Sequence, residues 1–187
     1  MRQVDGKRPK QPTLILFSGL PGCGKTTLAR RVAQYFQLPL FSKDRFQSAL
    51  RRQGLAGRST VDGYRLILDQ ADEQLNLGLG SVLDAVFPLP GFRAEASQIA
   101  RRHEAELRVI VCHCSDETVW ERRLLARKQY VPDWTPVGWS EVERLRAEFQ
   151  PWDAQLTHLA VDALNDLEDN FLQVKHFIHG SLVGSGL

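Results

Sequence analysis

Eight consecutive residues carry both the residue types and the spacing that chemistry needs. Gly19-Leu20-Pro21-Gly22-Cys23-Gly24-Lys25-Thr26 satisfies G-x-x-x-x-G-K-S/T at every fixed position. The glycines let the backbone turn tightly and aim successive N–H groups inward, which makes a nest for an anion. A helix starting near Lys25 adds the positive end of its dipole. Lys25 brings a flexible point charge for β- and γ-phosphates, and the Thr26 hydroxyl is a ligand for Mg²⁺. The chemistry is therefore the binding of a nucleotide's phosphates, with Mg²⁺, by Gly19–Thr26, with Thr27 next in line.

Other residues fall where such a site would use them. Asp44 follows a short apolar segment and Asp84 sits late in another. A charge inside an apolar strand is costly unless a metal or a partner compensates it, so Asp84 asks for one. Asp44-x-x-Gln47 also has the spacing of a helix N-cap with its reciprocal partner. Arg123 and Arg127 lie four apart, on one helix face, and their planar donors suit phosphate oxygens. Glu121, Arg122 and Lys128 are adjacent to them in the chain, which is the pattern of a solvated surface. Cys112-His113-Cys114 puts two thiols on one face of a strand. A closed zinc site wants four ligands, and no second Cys/His pair is suitably spaced, so the pair reads as core. Cys23 fills a variable position of the loop.

The elements that must hold these residues follow from apolar periodicity. Strands are expected at 13–18, 39–42, 81–87, 107–114 and 158–161. Helices are expected at 25–36, where Leu28, Ala29, Val32, Ala33 and Phe36 recur at three and four, and at 46–52, 62–77, 92–103 and 166–178. One more helix follows Asp116 and Glu117, and another opens at Ser140-Glu-Val-Glu143, which has capping-box spacing, and stops at Pro151. Strands alternating with helices make an α/β domain whose parallel sheet is covered on both faces. Such sheets bind ligands at the carboxyl ends of their strands, where the loop, Asp44 and Asp84 all fall.

Composition sets the outer bounds. The 187 residues suit one domain. Hydrophobic residues at 43% and charged residues at 25% exclude disorder. No apolar run reaches the roughly 20 residues of a membrane helix. The polar N-terminus lacks the apolar core of a signal peptide, which predicts a cytoplasmic protein. Residues 1–12 read as a flexible basic arm and 180–187 as a flexible tail. Net charge is +2, yet residues 1–60 hold twelve Lys/Arg against only Asp5 and Asp44. That asymmetry fits an anionic ligand near the N-terminal third, or a basic arm on solvated helix faces. A nucleotide-binding loop serves a phosphotransferase, a hydrolysing switch or motor, or a regulatory module. The switch expects an N-K-x-D motif, which is absent, and the motor expects further subdomains.

Taken in order, GLPGCGKTTLARRVA, SKDRF, SVLDAVF with Arg93 six residues on, and ERRLLAR resemble the small P-loop kinases of the AAA-type ATPase grouping. Gluconate kinases, chloramphenicol phosphotransferase, zeta toxins and the kinase domain of polynucleotide kinases belong to that grouping. The resemblance implies an NMP-kinase-like, five-stranded parallel sheet of order 2-3-1-4-5 within one domain at 13–179. It implies a lid at about 123–139, flanked here by Trp134 and Trp139. Asp44 would match the aspartate that takes the proton of the acceptor hydroxyl, a task a carboxylate beside the γ-phosphate can perform. Asp84 would help hold Mg²⁺, Arg123 and Arg127 would match the R-x-x-x-R at the lid entrance, and Arg93 would lie on the acceptor side. Nucleic-acid kinases of the grouping carry an arginine where this chain has Gln47, which weakens a polynucleotide acceptor. The expectation is an ATP-dependent phosphotransferase acting on a hydroxyl of a small molecule. The alternatives are a nucleic-acid or nucleotide-sugar kinase and a nucleotide sensor without catalysis.

Overall fold

The computed structural model describes residues 11–55, 61–126, 137–153 and 156–180. Five strands form one sheet: β1 Thr13–Ser18, β2 Leu40–Ser42, β3 Ser81–Asp84, β4 Glu106–His113 and β5 His158–Asp162. Seven helices are described: α1 Lys25–Phe36, α2 Lys43–Arg52, α3 Val61–Asn76, α4 Pro90–Arg102, α5 Glu117–Ala126, α6 Trp139–Glu148 and α7 Leu167–Ile178. The sheet order is β2-β3-β1-β4-β5, with every pairing parallel. It is the expected order 2-3-1-4-5.

The central strand shows why the sheet must be covered twice. All six residues of β1 are buried. Ile15 and Phe17 join a core with α1 and α7, through Leu28, Val32, Phe36, Phe171 and Val174. Leu14 and Leu16 face the other way, into a core with Ile67, Leu68 and Ala71 of α3 and Ala96 and Ile99 of α4. Each fully buried Leu, Ile or Phe contributes about 1.5–3 kcal/mol. Alternation along one strand therefore feeds two cores, and the exit of that strand is held rigidly in the middle of the sheet.

Three local expectations change. Helix α2 starts at Lys43 rather than Phe46, so its first turn consists of polar residues that apolar periodicity does not register. Ser42 is its N-cap, which removes Asp44 from the capping role; Asp44 is the second helical residue. Strand β3 ends at Asp84, not Phe87, because Phe87 takes φ 49° and gives its N–H to the Tyr64 hydroxyl instead of the sheet. Helix α6 starts at Trp139 behind Gly138, so Ser140 does not build the expected capping box. Asp166 does cap α7, accepting from Glu168 N at 2.7 Å. Most of the expected arm, tail and lid, with Arg127 and Trp134, lies outside the described residues. No described helix is long and apolar enough to cross a membrane.

Candidate nucleotide site

The phosphate loop joins the exit of β1 to the start of α1. Gly19 sits at φ 135° with its Cα against β4: a Cβ there would meet the Cys112 carbonyl oxygen at 2.0 Å. Gly22, at φ 86°, would meet Trp120 Nε1 at 2.8 Å. No side chain fits at either point, so the loop is shaped by backbone alone, as an anion nest demands. Lys25 is the first residue of α1 and is 8% exposed. Its Nζ donates to Leu20 O at 2.8 Å, which keeps the ammonium inside the loop. Pro21 is buried, and its carbonyl accepts from Trp120 Nε1 at 2.8 Å. Trp120 meets Trp139 edge-on, and the Arg146 guanidinium lies over both rings. Helices α5 and α6 thereby pin the loop. Neither Trp120 nor Arg146 carried a local signal in the sequence, because each acts on residues far away along the chain.

Asp84 ends β3 beside this loop. Its register partners are Phe17 of β1 and Ser42 of β2. Thr26 Oγ1 donates to Asp84 Oδ2 at 2.8 Å, and the Ser42 hydroxyl also hydrogen-bonds the carboxylate. Burial pushes the Asp84 carboxyl above the usual carboxylate range. The Lys25 charge and the two hydroxyls oppose that push, and the Asp44 carboxylate adds to it. A buried carboxylate paired with a hydroxyl is a hard oxygen donor set, of the kind that suits Mg²⁺ when a phosphate supplies further oxygens. The residues present therefore fit the implied metal, and Thr26 and Asp84 are the ones able to hold it. Among the described residues no group of three or more His, Cys, Asp or Glu side chains forms a closed metal site.

Asp44 stands one step beyond Lys43 at the start of α2. Its side chain is 37% exposed, and Lys43 Nζ approaches its Oδ1 at 3.8 Å. Its charge reaches both Asp84 and Tyr64. Lys43 itself is nearly covered and lies over the Tyr64 ring. Burial lowers its ammonium from the usual lysine range, with Asp44 opposing and Arg51 assisting. One turn further, Gln47 is buried and its Oε1 has no hydrogen-bond partner among the described residues. Close contact of α2 with Gly63 of α3 encloses it: a Cβ on Gly63 would lie 3.0 Å from that oxygen.

The remaining candidates separate. Arg123 Nη1 donates to Ala163 O at 2.6 Å, so it reaches the loop after β5. The methyl of Ala163 is also what a Cβ on Gly24 would first meet, at 3.7 Å, which puts Arg123's anchor beside the start of α1. Arg93, expected on the acceptor side, is buried at 6% exposure and gives its N–H groups to the carbonyls of Phe87, Pro88, Gln150 and Pro151. A guanidinium so committed has little left for a substrate, which corrects that expectation. Cys112 of β4 and Cys114, just past the end of that strand rather than within it, are buried in the core with Cys23. Burial raises the Cys23 thiol to about 11 even though the Lys25 charge works against it.

Comparison with known proteins bears on the family and the fold. A family model described as an AAA domain matches residues 14–152. A cytidylate kinase of Desulfurococcus amylolyticus is 51% identical over 43 residues, a stretch that spans 22% of this chain and 23% of that protein. A solved sugar kinase from a Janibacter species superposes with a TM-score of 0.67 at 16% identity, covering 90% of this chain and 94% of the other. Kti12 of Chaetomium thermophilum, solved in complex with ADP-AlF3, superposes with a TM-score of 0.70 at 21% identity, covering 91% and 100%. The chain belongs to the AAA domain family, and its fold is that of the small P-loop kinases.

Proposed function

We propose that this protein is an ATP-dependent phosphotransferase that moves the γ-phosphoryl group to a hydroxyl of a small molecule. The observation that carries the reading is the placement of Asp44. Its carboxylate directly follows Lys43 and Ser42, and Ser42 hydrogen-bonds Asp84, which in turn holds Thr26 of the phosphate loop. A half-exposed carboxylate next to the loop is suited to orient an acceptor hydroxyl and take its proton. The loop amides and Lys25 bind and align the phosphates, so that attack is made nearly intramolecular. Thr26 and Asp84 would hold Mg²⁺, which when bound would offset phosphate charge. Arg123, with Arg127 beyond the described residues, supplies guanidinium donors to the transferring group. The solved sugar kinase supports a small acceptor, and the ADP-AlF3 bound to Kti12 supports a nucleotide donor. In a cytoplasmic setting ATP would be at hand.

The nucleic-acid alternative draws on the basic N-terminal third. Against it stands Gln47, enclosed between α2 and α3, in place of a guanidinium able to grip a phosphodiester. The deciding experiment is an acceptor screen with labelled ATP across sugars, antibiotics, nucleosides and 5′-hydroxyl oligonucleotides. A labelled small molecule supports the proposal. Efficient oligonucleotide labelling that survives deletion of residues 1–12 replaces it with the polynucleotide reading. Slow hydrolysis with no acceptor replaces it with a nucleotide sensor.

A further inference from the structure

Arg93 is a buried cation whose hydrogen-bond partners among the described residues are all main-chain carbonyls. Nε donates to Phe87 O at 2.7 Å, Nη1 to Pro151 O at 2.9 Å, and Nη2 to Gln150 O at 2.7 Å and Pro88 O at 3.1 Å. Trp152 and Phe149 cover its faces, with ring centroids 4.3 and 4.9 Å from the guanidinium carbon. Carbonyl dipoles and two π-faces replace water around the charge, an arrangement that the planar guanidinium fork can exploit and an ammonium cannot.

The two carbonyl pairs belong to separate stretches of chain. Phe87 and Pro88 lie just beyond Asp84, where β3 has left the sheet. Gln150 and Pro151 follow α6. Gln150 N also donates to Pro88 O at 3.0 Å, so the stretches are stitched directly. Trp152 Nε1 continues the connection to Ser18 Oγ at 3.3 Å, and that hydroxyl donates to Val86 O at 2.9 Å. Ser18 immediately precedes Gly19 of the phosphate loop. Arg93 therefore binds the chain just beyond β3, and the Trp152 ring stacked on it carries the connection on to Ser18 at the exit of β1, which leads into the loop.

We propose that Arg93 is a positioning residue for the nucleotide site: through Trp152 it braces the separation that the direct pairing of β1 with β3 gives Asp84 and the phosphate loop, without touching the nucleotide. The proposal rests on the reading of Thr26 and Asp84 as the Mg²⁺-holding pair. A shift of about 1 Å at such a site costs up to roughly 100-fold in a property that depends on it.

The test is the affinity of a fluorescent ATP analogue with Mg²⁺ and with EDTA, measured well below the thermal midpoint. Arg93→Lys keeps the charge but cannot reach four carbonyls. Its EDTA affinity is expected within about twofold of wild type, because the loop glycines and Lys25 are intact, while the gain on adding Mg²⁺ falls about tenfold. Trp152→Phe keeps a smaller ring under Arg93 and removes the N–H to Ser18. It is expected to lose part of the same gain, and it carries the test should Arg93→Lys not fold. A gain in wild type that persists undiminished in the folded variants overturns this proposal alone. No Mg²⁺-dependent gain in wild type overturns the reading of Thr26 and Asp84, and this proposal with it.

Discussion

The loop from Gly19 to Thr26 and the cluster around Lys43 and Tyr64 are built from different materials. The loop is shaped by backbone. Its glycines occupy φ values that other residues avoid, and β4 and Trp120 leave no room for side chains. The second region is shaped by side chains from three elements: Lys43, Asp44 and Gln47 of α2, Tyr64 of α3, and Phe92 of α4 stacked 4.4 Å from the Tyr64 ring. A backbone nest reads phosphate, which every nucleotide shares. Side chains read whatever acceptor a given protein takes, so they carry the specificity.

The largest expected effect breaks the loop's half of that contrast. Lys25→Ala should remove measurable turnover and weaken ATP binding while the fold survives. In wild type, ATP with Mg²⁺ at about 100 times Kd should stabilise the fold by about 2.7 kcal/mol, a gain that differential scanning calorimetry should find reduced in the variant. Unchanged turnover would remove Lys25 from the site.

Backbone shaping itself can be tested with two glycines. Gly19→Ala drives a methyl into the Cys112 carbonyl and should cost roughly 4 kcal/mol or more, enough to threaten folding. Gly24→Ala meets nothing closer than the Ala163 methyl and should cost only about 1–2 kcal/mol, the strain of φ 76°. Urea midpoints for the pair decide the matter; equal losses would contradict the packing described for Gly19.

Asp44→Asn probes the other side. A carboxylate that takes the acceptor proton should lose about 10²–10⁴-fold in kcat. As the second residue of α2, behind Ser42, Asp44 contributes only about 0.3–1 kcal/mol through the helix dipole, so the thermal midpoint should barely move. Near-normal turnover would leave it an ordinary first-turn acid.

Smaller effects sharpen the comparison. Trp120→Phe keeps a smaller ring under Arg146 but leaves the buried Pro21 carbonyl unpaired and a gap in the core, and should cost about 1–3 kcal/mol in chemical denaturation. Cys23 sits in the loop yet should be inert near neutral pH. With its pKa raised to about 11, roughly one thiol in ten thousand is ionised at pH 7. Its alkylation rate should climb about tenfold per pH unit towards about 11, because only the thiolate attacks. Rapid labelling at neutral pH, followed by mass spectrometry, would show that the loop opens.

Much of this architecture was legible from residue order. The bounds of β1 and α1 coincide with their apolar patterns, because a doubly buried strand and an amphipathic helix each write their environment into local periodicity. The phosphate loop was legible for a related reason: its constraints are local, and glycine is the residue that meets them. The strand order came from resemblance, since parallel pairing joins residues that no short window contains. Helix α2 was clipped because its first turn, Lys43 to Arg45, is polar.

What the sequence by itself determined is thus an α/β sheet with a phosphate nest at the head of its central strand, set by backbone conformations that only particular residues tolerate. Tertiary structure alone decided what the isolated polar side chains do. It joined Thr26 and Ser42 to Asp84, moved Asp44 off the helix cap, and turned Arg93 from a substrate candidate into a clamp on four carbonyls. The physical reason is the nature of the partners. A main-chain carbonyl looks the same at every residue, so the sequence holds no mark of which carbonyls a distant guanidinium will find.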